Sequence, residues 1–151
     1  MRLVVQRVTS AAVSVDGREI GRIERGAMVL AGIAVGDTAE LVERMADKLL
    51  GLRYFEDADG RTNAPMDAVG GAFLVVSQFT LLADLRRGRR PGFARAAAPE
   101  LAALLVDRFV ERLRGAGQRV AVGRFGALME VTLVNEGPFT LVIDSDRDLA
   151  G

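Results

Sequence analysis

The chain has 151 residues, half of them hydrophobic, with 20 basic and 20 acidic side chains and a formal net charge of zero. That length suits one domain over residues 1–151 with a real core, and the balanced charge excludes a global field for nucleic acid. Cys and His are both absent, which excludes disulfides, thiolate nucleophiles, imidazole bases, Ser-His-Asp triads and nearly every zinc site.

Residues 2–8 alternate as a strand, with Leu3, Val5 and Arg7 on one face. An arginine there is unusual unless it snorkels outward from a sheet edge. Residues 12–15 read as a second short strand, Asp16-Gly17 as a two-residue hairpin turn and residues 18–23 as the returning strand. Gly26 then introduces a buried strand over residues 28–35. Asp37 reads as a helix cap, with Glu40 three residues on as in a capping box. Leu41, Val42, Met45, Ala46, Leu49 and Leu50 mark one face of that helix, which ends near residues 51–53. Tyr54-Phe55 reads as strand. Residues 56–60 form an acidic turn without the ligand spacing or terminal Glu of a calcium loop, so no metal is expected.

Gly70-Gly71 opens the apolar run 72–76, the pattern of a buried central strand. Ser77, Gln78 and Thr80 interrupt it. An unpaired hydrogen-bonding side chain in a core costs ~1–3 kcal/mol. Either the fold pairs these groups internally, or the strand ends at a cleft where a ligand does. Arg86, Arg87, Arg89 and Arg90 follow in one loop, and hydroxyls beside a cationic cluster suit a polyanion carrying a small reactive group. Pro99-Glu100 opens a second helix with Leu101, Leu104, Leu105, Phe109 and Leu113 as its core stripe and Gly115 as its stop. Residues 120–125 and 129–134 read as strands, Asn135-Glu136-Gly137-Pro138 as a tight turn, 139–144 as the last strand and 145–151 as a frayed end. The sum is an α+β fold, a mostly antiparallel curved or barrel-like sheet of about eight strands with two main helices. No apolar run approaches the roughly 18 residues of a membrane span, and no secretion signal is visible, so a cytoplasmic location is expected.

Ser77 and Thr80 have no adjacent base in sequence to activate them as nucleophiles. Positioning a substrate or water through hydroxyls and backbone N–H groups needs no shifted pKa. Gln78 suits a ligand contact or a crosslink between strands, and Phe79 a core position or a stacking platform. Gly137 has no Cβ, so its backbone can approach a ligand closely, and Asn135 can lock the turn through its side chain.

Several segments together resemble the D-aminoacyl-tRNA deacylases over essentially the whole chain. They are residues 1–8, Ser77-Gln78-Phe79-Thr80-Leu81, Gly88-Arg89-Arg90-Pro91, Gly123-Arg124-Phe125-Gly126-Ala127 with Met129, and Asn135-Glu136-Gly137-Pro138-Phe139-Thr140. The Ser-Gln-Phe-Thr and Asn-x-Gly-Pro motifs at this separation are highly specific. Leu85, Gly92 and Phe139 stand where the family more often has threonine, serine and valine. The resemblance implies a homodimeric cytoplasmic hydrolase without cofactor. It would cleave the ester joining a D-amino acid to the tRNA 3′ end, and would also act on glycine mischarged onto tRNA. Ser77, Gln78, Phe79 and Thr80 would line the site and hold the terminal adenosine and the ester, with Met129 against the adenine. Gly137-Pro138 would be a cis peptide inserted into the partner subunit's site, with Arg7 fixing its orientation and Asn135 in the same substrate-binding set. Arg86, Arg87, Arg89 and Arg90 would meet tRNA phosphates. A rigid turn at one face of the substrate α-carbon would exclude an L side chain while passing a D side chain or hydrogen. With no His or Cys, the implied chemistry is substrate-assisted through the ribose 2′-hydroxyl. A non-catalytic RNA-binding module and a general small esterase remain as alternatives.

Overall fold

The computed structural model describes residues 1–86 and 88–149. Its organising strand is β1 (Arg2–Val15), one continuous strand where the sequence suggests two. The polar Thr9-Ser10 step does not break it, because β8 (Glu130–Asp144) pairs with it from Arg2↔Asp144 to Ser14↔Glu130. Tertiary pairing here overrides local propensity. Asp16 and Gly17 both have positive φ, 50° and 74°, as a type I′ turn requires. They return the chain into β2 (Arg18–Ile23), antiparallel to the outer end of β1.

β3 (Gly26–Gly32) pairs antiparallel with β1 and parallel with β6 (Ala72–Ser77), which pairs parallel with β7 (Val120–Val122). The strand order is β2-β1-β3-β6-β7, with β8 also on β1. The sheet curls until β2 approaches β7, where a Cβ on Gly21 would sit 2.9 Å from the Val122 carbonyl oxygen. The result is a nearly closed, barrel-like sheet. β4 (Phe55–Glu56) and β5 (Thr62–Ala64) form a separate hairpin around the acidic turn. Asp57 Oδ1 accepts there from the Asp59 and Arg61 N–H groups.

Period-2 alternation divides β3 and β6 between two cores. Ala27, Val29, Phe73 and Val75 face the helices α1 (Ala39–Gly51) and α2 (Pro99–Gly115), while Met28, Leu74 and Val76 face the inside of the curl with Val8 and Val13. This double burial explains the unbroken apolar run of β6. Val42, Met45, Ala46 and Leu49 are the buried face of α1, with Leu41 and Leu50 half-buried at its margins. In α2 the stripe is rotated from the expected one. Ala102, Leu105, Phe109, Val110 and Leu113 are buried, but Leu101 and Leu104 face outward at 44% and 67% exposure.

The N-cap of α1 is Thr38, whose Oγ1 accepts from the Leu41 N–H at 3.2 Å, in place of the expected Asp37. Asp37 is engaged elsewhere, by the Met1 ammonium at 2.8 Å and the Ala34 N–H at 2.7 Å. A charge-assisted partner at long sequence range decides against the local cap. Residues 145–148 are ordered rather than frayed, forming α3 (Ser145–Asp148) with Asp144 Oδ1 accepting from the Asp146 N–H. Ser145 is buried and receives a hydrogen bond from the Met1 ammonium at 2.8 Å. No described helix is long and apolar enough to cross a membrane.

Candidate active site

The polar run at residues 77–80 marks the end of a strand. β6 stops at Ser77, and the chain passes into a 3₁₀ turn, Phe79–Leu82. Two features hold that turn across the end of β3. The Gln78 N–H donates to the Ala31 carbonyl at 2.8 Å. Gly32 leaves room for it, since a Cβ there would sit 2.5 Å from Leu82 Cδ2 and 2.8 Å from the Gln78 oxygen.

A cleft of about 750 Å³ opens beside this turn. Ser77, Gln78 and Phe79 form one wall, Phe93 and residues 96–99 another, and the loop 125–129 a third. Met129 is seated against Gly123, where a Cβ would lie 2.7 Å from its Sδ, and the Arg124 N–H points at the same sulfur at 3.4 Å. Among the described residues no ionisable side chain lines the cleft. Its polar side chains are the Ser77 hydroxyl and the Gln78 amide. Thr80 is exposed and lies outside the lining, with its Oγ1 accepting from Gln78 Nε2. A side-chain amide N–H has no lone pair with which to take a proton, so this partner cannot activate the threonine hydroxyl as a nucleophile.

Arg7, Asn135, Gly137 and Pro138 form a second group, none of which lines the cleft. The expected turn between two strands is instead a bulge within the single strand β8. Gln6 pairs with Thr140 and Val8 with Asn135, so Arg7 alone stands opposite residues 136–139. Asn135 closes the bulge. Its Nδ2 donates to the Phe139 and Arg7 carbonyls, both at 2.9 Å, and its Oδ1 accepts from the Phe139 N–H at 3.1 Å.

Arg7 does not snorkel outward; it is 8% exposed. It donates to the Tyr54 carbonyl at 2.8 Å and the Glu136 carbonyl at 3.1 Å, and its guanidinium lies 4.6 Å from the centre of the Phe139 ring. The Glu136 carboxylate stands 3.6 Å from Arg7 Nε, an ion pair too long for a hydrogen bond, and its Oε2 is buried without one. Tyr54 stacks on Phe139 at 6.2 Å, and burial pushes its hydroxyl pKa up. The Gly137-Pro138 peptide is cis, and Gly137 has φ +147°. A Cβ at Gly137 would lie 2.7 Å from the Phe139 nitrogen. Both turn residues are exposed.

The arginine loop is pinned at its base by reciprocal hydrogen bonds between Asp84 and Gly92 at 2.7 and 2.9 Å. Arg86 folds back on Asp84 at 2.9 and 2.7 Å, and these bonds hold the Asp84 carboxyl well below the usual range. Arg89 and Arg90 are exposed, and Arg87 lies outside the described residues. The sequence did not single out Phe93, which meets Phe79 edge-to-face at 5.0 Å and 69°. Its signal was an aromatic residue directly following the cationic loop.

Residues 4–144 match the family model described as D-Tyr-tRNA(Tyr) deacylase. The chain belongs to this family. The D-aminoacyl-tRNA deacylase of Desulfatibacillum aliphaticivorans is 52% identical over 145 residues, covering 96% of this chain and 99% of that protein. That of Chloroflexus aurantiacus is 54% identical over 145 residues, covering 96% and 91%. Among solved structures, the c-Myc DNA Unwinding Element Binding Protein superposes with a TM-score of 0.90 at 39% identity, covering 95% of this chain and 98% of that one. A probable eukaryotic D-amino acid tRNA deacylase shares the fold at a TM-score of 0.84 and 22% identity, covering 94% and 97%.

Proposed function

We propose that this deacylase-family chain hydrolyses the ester joining a D-amino acid to the 3′ end of tRNA, and also releases glycine mischarged onto tRNA, as a chiral proofreading enzyme of translation. The observation that carries this reading is the cleft itself. It has the size of a small-ligand site, a hydroxyl and an amide at one wall, an aromatic ring and a thioether nearby, and no ionisable lining side chain among the described residues. The terminal adenine packs against Met129 and Phe79, and the ester lies over Ser77 and Gln78. Water adds to the ester carbonyl carbon, the bond from that carbon to the ribose oxygen breaks, and the ribose oxygen takes the proton. The vicinal 2′-hydroxyl assists this transfer. Ser77, Gln78 and nearby backbone N–H groups orient the substrate and stabilise charge on the carbonyl oxygen, and Thr80 orients Gln78.

Selection falls to the turn. The chain acts as a homodimer in which Gly137-Pro138 of one subunit reaches the cleft of its partner. Three features support this. The turn lies outside its own cleft, it is exposed yet held on both sides by Asn135 and Arg7, and β8, which among the described residues pairs with β1 alone, presents exposed Val131, Val134 and Val142. An unpaired strand edge of this kind invites a second chain. Main chain fixed against the substrate α-carbon excludes an L side chain and passes a D side chain or hydrogen. Arg86, Arg87, Arg89 and Arg90 take the tRNA phosphates.

Incubating stoichiometric protein with D-tyrosyl-, L-tyrosyl- and glycyl-tRNA tests the proposal. Release of D-tyrosine and glycine with L-tyrosyl-tRNA left intact is expected, and no release of D-tyrosine would refute it. Equal cleavage of free D-tyrosine esters would favour the general esterase.

A further inference from the structure

We propose that Phe93, with the outer face of Phe79, is a stacking shelf for the nucleotide immediately 5′ of the terminal adenosine, while the exposed arginines of the adjoining loop hold its phosphate. This rests on the cleft being the adenosine site. Two large aromatic rings in contact normally belong to a core, yet Phe79 is 56% and Phe93 39% exposed. Their edge-to-face arrangement at 69° turns one ring's edge into the other and leaves ring face free for a third partner.

The shelf is also rigid. Phe93 directly follows Gly92, which is doubly bonded to Asp84, and its carbonyl accepts from the Ala96 N–H at 3.0 Å. The next residues are tied to the chain beyond β3 through Val35 N–H to the Arg95 carbonyl and Ala97 N–H to the Ile33 carbonyl. Phe79 hangs from the same region through Gln78 and Ala31. Both rings are therefore presented from one anchored base. Arg89 and Arg90 stand in the loop pinned by Asp84 and Gly92, exposed and a few residues from Phe93. Open aromatic faces beside arginines are the elements by which unpaired RNA is held, base on ring and phosphate on guanidinium. The 3′ end of tRNA is single-stranded, so a base preceding the adenosine is available to such a shelf.

Calorimetric titration of the full chain with the trinucleotide 5′-CCA-3′ and with adenosine 5′-monophosphate tests this. The wild-type chain should bind the trinucleotide about tenfold more tightly than the mononucleotide, the gain expected of one stacked base. Phe93→Leu should erase most of that ratio, and Phe93→Trp should keep it. Equal wild-type affinity for the two ligands, binding of neither, or an equal loss for both in Phe93→Leu would overturn the shelf. The hydrolase reading fails separately. A Phe93-dependent ratio without release of D-tyrosine from tRNA would sink the enzyme and keep the shelf, and hydrolysis with equal affinities would do the reverse.

Discussion

The cleft and the bulge are built on opposite principles. Around residues 136–139, hydrogen bonds from Arg7 and Asn135 fix the main chain. Asn135 spans the bulge with three hydrogen bonds, and Arg7 sits buried against two carbonyls, a carboxylate and an aromatic ring. The cleft at residues 77–79 has the reverse character, with an apolar wall, few polar side chains and open space. One region is over-determined and the other is left for a ligand to complete. The contrast suits a division of labour in which backbone judges shape and substrate supplies most of the chemistry.

The largest expected effect comes from breaking the rigid region. Arg7→Ala strips the cation from the half-buried Glu136 carboxylate and leaves the Tyr54 and Glu136 carbonyls without their donor. Leaving a buried acceptor unpaired costs about 1–3 kcal/mol, which urea denaturation would read. Where the variant still folds, hydrolysis of D-tyrosyl-tRNA should fall while affinity for adenosine 5′-monophosphate stays. Wild-type stability would mean that Arg7 is not what holds the bulge.

Changing the open region should matter less. Thr80→Val removes a hydroxyl whose partner is an amide donor. Single-turnover rates should fall by less than about tenfold, below the range that general acid–base groups supply. Complete loss with unchanged binding would make Thr80 a covalent nucleophile.

The smallest effect expected is that of pH. Arg86 and Arg147 hydrogen bonds hold Asp84 and Asp148 low. At Asp144 burial pushes upward, but the Arg2 hydrogen bond and its neighbours leave the net shift downward. Burial moves Tyr54 in the other direction. These displacements lead away from neutrality, so the deacylation rate should show no inflection from these groups between about pH 6 and 8, where the substrate's own amino group titrates. A bell-shaped profile persisting with an N-acylated substrate would reveal an enzymic acid or base.

How much of this was legible in the sequence follows from the range of the forces involved. Asp16-Gly17, the buried face of α1 and the end of β6 at Ser77 depend on local chemistry, and the chain spells them out. The bulge was not legible. Asn-x-Gly-Pro signals a reversal, and only β1, pairing with residues on both flanks, makes it an interruption of one strand. Asp37 misled in the same way, because its partner Met1 is distant in sequence. The rotation of α2 depends on which side of the helix the sheet covers, and Leu101 and Leu104 fit the helical spacing as well as Leu105 does. Phe93 needed the structure because its meaning lies in its contact with Phe79.

The most direct test of the central claim is subunit complementation. Gly137→Ala, with a Cβ driven against the Phe139 nitrogen, spoils the bulge, and Phe79→Ala spoils the cleft. Refolded together in equal amounts, half of the dimers are mixed and each carries one intact site, so D-tyrosyl-tRNA hydrolysis should recover to about a quarter of the wild-type rate. A mixture no more active than the mean of the two variants alone would contradict a site shared between subunits.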